Sequence, residues 1–467
     1  MESEKGIKSS GFPSRIWGYL TLITVEPMLF FYAMGMAMND VTATNLMEIK
    51  ICYFVKEFPA CVCEHFLTDE SLKMQKELVQ KSLTNYNTIL SVMGIPSVLW
   101  CMVIGEWSDN YGRKKPILGA ILSFLLTTVG FFMSLSYIGD ITTAETRTSR
   151  IALCSGLSFL GYPMGTLLGG FLFHSFHFKG TYSASIVAMS ISLVYGYIRI
   201  KETRGLDNSA SLKVIARDLF RISNFLEGLK TIRKKREGSK RLVLSLCLVI
   251  ICLNNAFLIG TSSIQYPYTQ LTFQWNVEQF SIFSATGQFF NKFVNIFITP
   301  LLSTRFHLPE SAIGLIGVMS GIIAMITKVL ARNVPLYYIS EFLFGMFFVG
   351  TAAARSLLSQ SVNGDELGKA YGFAGALEAV STLVFIPAIQ QIYKATLSFF
   401  PSFTFVVTAL VTLPNLCSFL WLDMSKRRTD LRPKTEDSGE RIHTIALPDD
   451  IDITAPDFPK SEKSTYL

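Results

Sequence analysis

Apolar stretches of about twenty residues, the length a helix needs to cross a bilayer core, recur along the chain with shorter polar segments between them. Eleven qualify: 16–38, 85–107, 116–137, 150–173, 181–199, 241–262, 280–302, 311–331, 335–358, 369–392 and 398–422. The pattern predicts an all-α, polytopic membrane protein. The first stretch is too long for the apolar core of a secretory signal and has no small-residue cleavage site behind it, so it reads as the first span.

The polar segments divide the chain into regions. The longest interruption inside the set, 206–240, separates five spans in 1–205 from six in 241–424 and reads as a linker between two helical bundles. It contains Arg233, Lys234, Lys235, Arg236 and Lys240, the basic excess expected of a cytosolic loop beside a membrane. Between 39 and 84, Lys is mixed with Glu and Asp, and that loop is assigned to the outer side. Residues 425–467 open with Lys426, Arg427 and Arg428, then turn acidic, Pro-containing and poor in large apolar side chains, which predicts a disordered cytosolic tail.

Composition agrees with lipid as solvent: half of the residues are hydrophobic and 16% are charged, against about a quarter charged in an average soluble chain. The net charge of +7 comes from segments flanking apolar runs, where topology requires it, so nucleic acid is not an expected partner. Eight cysteines are too scattered for a disulfide scaffold, and no CxxC pair with a His partner points to zinc. Cys101, Cys154, Cys247, Cys252 and Cys417 fall in apolar runs as packing residues. Cys52, Cys61 and Cys63 share the 39–84 loop; on the outer side Cys52 can pair with Cys61 or Cys63, and Cys52 with Cys61 is the candidate carried forward. No cofactor, HExxH, GxSxG or P-loop is present in the sequence, and enzymatic activity is not expected.

The sharpest local signal runs from Gly105 to Pro116, between the second and third stretches: Gly105, Asp109, Gly112 and Arg113 at spacings that allow close helix ends, a carboxylate facing a helix N-terminus, a tight turn and a basic partner. These residues resemble the loop pattern G-x-x-x-D-x-x-G-R-[RK] of the major facilitator superfamily. Further strings resemble solute carrier family 46, the proton-coupled folate transporter family: Ile23 to Pro27, Arg150 to Leu153 through Leu168 to Gly170, Glu202-Thr203, Arg355 to Ser359 and Tyr393 to Leu397. The resemblance implies two six-helix bundles that rock about a central site, with the Gly105–Arg113 loop as a cytosolic gate.

Eleven stretches are one short of that fold. With the Arg113 loop inside, the count leaves the basic linker outside; one more span between about 132 and 140 restores it. Tyr137 to Thr143 through Arg150 resembles the family's loop after the fourth span, yet here follows the third almost directly. The fourth transmembrane helix is therefore read as missing, by splicing or by an error in the gene model.

Ionisable residues inside spans are costly and mark function where a partner or water exists. Glu26 lies near the middle of the first stretch, Lys292 within 280–302, Glu341 and Arg355 at the outer and cytosolic sides of 335–358, and Glu378 within 369–392. Arg355, Glu378, Glu26 and Lys292 are the candidates for substrate binding or proton coupling; the resemblance adds that the family uses an arginine at the Arg355 position. Ser155 stands where the family's folate transporter has a glutamate implicated in proton coupling, so another carboxylate, Glu378 or Glu26, would take that part. His174 or His177 could sense external pH, and Tyr266, Tyr268, Phe273 and Trp275 could stack on a planar solute. The expected function is secondary active transport of a small organic anion, folate-like by resemblance, coupled to protons by alternating access. The alternative is a non-transporting or regulatory form lacking helix four. The expected partners are that anion, a proton and the lipid bilayer; the expected location is the plasma membrane, with an endolysosomal membrane as the alternative.

Overall fold

The computed structural model describes residues 24–65, 70–92, 95, 114, 117–119, 134, 137, 144–201, 240–362 and 367–430. Among them the regular elements are all helical: α1 (Glu26–Lys50), α2 (Ala60–His65), α3 (Lys73–Val92), α4 (Ala144–Arg199), α5 (Lys240–Thr272), α6 (Val277–Phe293), α7 (Glu310–Leu330), α8 (Val334–Gln360), α9 (Leu367–Thr396) and α10 (Phe403–Asp430). Short π-helical turns follow α1 and α6. Met1–Asp423 forms one compact unit and Met424–Leu467 a second; within the latter the described residues continue α10 to Asp430, so the tail expected to be irregular from Ser425 begins as helix.

The first half is organised by glycines. Gly161, Gly165 and Gly169 form a small-residue stripe on α4 at four-residue spacing, and a Cβ at Gly165 would stand 2.2 Å from the Met34 carbonyl oxygen of α1. Only hydrogen fits there, and the close backbone approach is how helices associate where lipid removes the hydrophobic drive. Along this stripe residue numbers on α1 and α4 rise together, Gly161 meeting Phe30 and Gly169 meeting Met38. Beyond His177 they run in opposition: the Ser185 hydroxyl donates to the Gly35 carbonyl at 2.7 Å and Ser192 to the Met28 carbonyl at 2.8 Å. His177, at φ 53° and ψ −153°, is where the chain reverses. The two limbs of α4 are therefore the two spans expected at 150–173 and 181–199.

In the second half, local signals match the helix starts. Asn276 and Gln279 form a reciprocal cap on α6, and Asn333 accepts from the Leu336 amide at 3.0 Å ahead of Pro335 in α8. Pro267 interrupts α5 and frees the carbonyl four residues earlier; Gln390 of α9 donates to that Ser263 oxygen at 3.1 Å. A core of Phe257, Ile264, Tyr268, Phe283, Tyr337, Phe347, Tyr393 and Phe405 fills the space among α5, α6, α8, α9 and α10.

The 39–84 segment, read as a loop, is mostly helical. α1 continues to Lys50, and a disulfide joins Cys52 to Cys63, with Cα atoms 5.8 Å apart. This corrects the Cys52–Cys61 pairing. Ala60–His65 is helical, so residues two apart point about 200° away from one another and only one can face Cys52; Cys61 is exposed. Ile51, Val79 and Leu83 pack around the bridge. The expected gap at 132–140 lies outside the described residues except for Ser134 and Tyr137. Six helices of the described set are long and apolar enough to cross a membrane, one of them spanning both limbs of α4.

Candidate functional site

Two ion pairs between charged residues on spans of the second half differ in setting. Arg355 of α8 donates through Nη2 to Glu378 Oε1 of α9 at 2.8 Å, and the two side chains remain 49% and 19% exposed. The α9 backbone beside Glu378 is held from α5: the Asn255 amide donates to the Glu378 carbonyl at 2.8 Å and to the Ser381 hydroxyl at 2.8 Å. A guanidinium carries five N–H donors in a fork that matches carboxylates, and this one stands on an accessible face.

Lys328 and Glu341 form the second pair at 2.8 Å, with the lysine fully buried. Gln265 of α5 donates to the same Glu341 oxygen at 2.8 Å, and the Lys328 ammonium lies 5.1 Å from the Phe344 ring centre and 5.5 Å from that of Tyr337. Gly287 of α6 leaves room for Glu341, since a Cβ would come within 2.5 Å of its Cγ. The pair is sealed inside the aromatic core and ties α5, α7 and α8 together. An apolar cavity of about 370 Å³ between α7 and α10, lined by Ile322, Ile326, Val406, Leu410 and Leu413, offers no polar group to orient an anion.

The two halves meet at the end that carries the disulfide. Gln270 of α5 donates to Glu48 of α1 at 2.7 Å, and Lys76 of α3 donates to the Gln270 carbonyl at 2.7 Å. Gln80 donates to the Pro267 carbonyl at 2.9 Å, and Lys394 of α9 to Asn85 at 2.8 Å. His174 of α4 pairs with Glu278 of α6 at 2.9 Å, and Gly170 lies against Ser281. Glu48, Lys76, Gln80 and Gln270 are all buried. Burial raises the Glu48 carboxyl to about 7 against the opposing pull of Gln270 and Lys76, and lowers the Lys76 ammonium to about 8 against the pull of Glu48.

A family model for the Major Facilitator Superfamily matches residues 133–386. The chain belongs to that superfamily. Among curated relatives, the lysosomal proton-coupled steroid conjugate and bile acid symporter SLC46A3 of Homo sapiens is 22% identical over 469 residues, covering 90% of this chain and all of that protein. The proton-coupled folate transporter of Rattus norvegicus is 21% identical over 373 residues, covering 72% of this chain and 78% of that one. Among solved structures, the human organic anion transporter MFSD10 superposes with a TM-score of 0.59 at 12% identity, covering 85% of this chain and 98% of the other, which supports the facilitator fold. The expected resemblance to solute carrier family 46 thus holds.

Of the residues expected to serve a facilitator's site, Gly105, Asp109, Gly112 and Arg113 lie outside the described residues. Lys114, next to them, donates to the Tyr197 carbonyl at 2.8 Å near the C-terminal end of α4, where a positive charge is favoured. Glu26 opens α1, and its Oε2 accepts from the Thr24 and Val25 amides at 2.8 and 2.9 Å; residues 16–23 of the expected first span lie outside the described residues. Pro27 beside it sets the helix start. Lys292 stands in the last turn of α6, 5.6 Å from the Phe348 ring centre. Tyr266, Tyr268 and Trp275 are buried; Trp275 packs on Phe283 and Tyr268 on Phe405. They are core residues and offer no stacking surface for a solute.

Glu48, Lys76 and Lys328 escaped the sequence reading. The first two sit in a segment read as loop; the signal was the helical spacing of Met38, Thr42, Asn45, Glu48 and Cys52, all buried. Lys328 stands two residues from the end of α7, a position that normally lets a lysine reach the interface.

Proposed function

We propose that this facilitator carries small organic anions together with protons by alternating access, with Arg355 as the anion-binding cation and Glu378 as its proton-linked partner. The observation that carries this reading is the accessible Arg355–Glu378 pair. An entering anion competes with Glu378 for the guanidinium, and a proton on Glu378 removes that competition, so the two ligands favour one another. Rocking of the halves about this site exposes it to each side in turn. The disulfide end is taken as outer, facing an acidic compartment. The relatives' names, a bile acid and steroid conjugate symporter and a folate transporter, favour an anion with a sizeable apolar body. The word lysosomal in the first favours an endolysosomal membrane over the plasma membrane.

The test is uptake of a labelled bile acid conjugate and of folate by the full chain at outside pH 5.5 and 7.5. Uptake that rises at 5.5 and is lost in Arg355→Ala supports the reading; uptake unchanged by that substitution overturns the assignment of the site.

A second reading, a form that does not transport, is favoured by the alignment with the human symporter: it runs over 469 positions yet uses only 90% of a 467-residue chain. Positions of that relative therefore have no counterpart here, as deletion of a helix requires. Comparing this chain with one in which a fourth span is restored separates the two readings.

A further inference from the structure

Glu48 is a fully buried carboxylate in the contact between the halves. It has no exposure, its Oε2 accepts from Gln270 across the interface, and its Oε1 has no hydrogen-bond partner among the described residues. A buried carboxylate oxygen without a donor is expensive as an anion and inexpensive as part of a neutral acid. Around it stand Lys76 of α3 and Tyr266 of α5, with Tyr393 of α9 beyond: Asn45 and Gln270 both donate to the Tyr266 hydroxyl, at 3.4 and 3.1 Å, and the Tyr393 hydroxyl donates to Gln80 Oε1 of α3 at 3.4 Å. Every one of these contacts except those with α1 and α3 comes from the second half, so opening the end would release Glu48 to water.

We propose that Glu48 is a proton-binding site of the outer gate, separate from the Arg355–Glu378 pair, and that its protonation holds the two halves together at the disulfide end. The choice of that end as outer rests on the transport reading given above. The sign follows from the environment. A carboxyl raised from an ordinary 4.5 to about 7 in the closed arrangement stabilises closure fully below its value in the opened one, and that stabilisation is lost as pH rises through about 7. Acid on the outer side thus favours closing behind a bound solute, the order that inward symport needs. Lys76 acts against this by favouring the anion, and so sets where the transition falls.

The experiment reads the gate without any solute, so it fails or succeeds independently of transport. Spin labels are placed at Leu78→Cys on α3 and Phe399→Cys beyond α9, exposed by 38% and 74%, in the full chain with Cys61 and Cys417 changed to Ser, reconstituted in liposomes. The short inter-label distance dominates at pH 5.5 and gives way to a longer one with a midpoint near 7. Glu48→Gln keeps the short distance at every pH. Lys76→Met moves the midpoint upward by about one unit, and decides the matter if Glu48→Gln does not fold. Distances that ignore pH, a Glu48→Gln variant with the parent's profile, or a Lys76→Met midpoint that stays or falls would each overturn the proposal.

Discussion

Arg355 and Glu378 meet at 2.8 Å on an accessible face, whereas Lys328 and Glu341 meet at the same 2.8 Å in a sealed core. Equal geometry in unequal surroundings gives the pairs different duties. An accessible pair contributes at most about 1 kcal/mol to stability and stays available to a ligand. A buried pair is costly to break from one side only, by about 3–5 kcal/mol.

Lys328→Met should therefore lower thermal stability in detergent severely, and Lys328→Met with Glu341→Met should recover most of the loss, because no buried charge is left alone. Arg355→Ala should leave the melting temperature nearly unchanged. A fluorescence melting series on the three variants checks this.

Gly165→Val should prevent the α1–α4 approach, since even a Cβ there would stand 2.2 Å from the Met34 carbonyl oxygen. The expected result is poor membrane expression and a loss of more than about 1–3 kcal/mol, because backbone cannot move aside as a side chain can. Gly260→Ala, where the nearest atom is an Ile389 side-chain carbon at 3.2 Å, should be much milder in the same assay.

Cys52→Ser and Cys63→Ser should behave alike, each costing about 2–4 kcal/mol through the freed loop, while Cys61→Ser should be neutral. Alkylation and mass measurement before and after reduction should show Cys52 and Cys63 protected together and Cys61 modified throughout.

The six long apolar helices of the described residues were legible because lipid imposes a length and an apolar composition that few other environments demand. The reversal at His177 followed from the polar break between 173 and 181. Charges within spans were legible as candidates, and Arg355 with Glu378 proved to be a pair. Other features depend on geometry that hydropathy does not carry. Glu26 stood out in the sequence as a charge in an apolar stretch, but its bonds to the Thr24 and Val25 amides at the start of α1 could not be read from hydropathy. Cys61 and Cys63 were equivalent by spacing until the helix of α2 turned one towards Cys52. Glu48 and Lys76 were hidden because a polar helix buried between two bundles reads, by composition, like a solvated loop.

Glu378→Gln should stand in for the neutral carboxyl at the proposed coupling position. It is expected to leave anion binding intact while removing the dependence of uptake on an imposed pH gradient. Exchange of labelled for unlabelled anion at equal pH, compared with net uptake, measures the two effects separately.

The most direct test of the central claim is net uptake of a labelled bile acid conjugate into proteoliposomes containing this chain, with the outside at pH 5.5 and the inside at 7.5. Proton-coupled transport by this chain predicts transient accumulation above equilibrium that a protonophore collapses and Arg355→Ala abolishes. No uptake by this chain, with uptake by a version carrying a restored fourth span, would contradict it and make the present chain a form that does not transport.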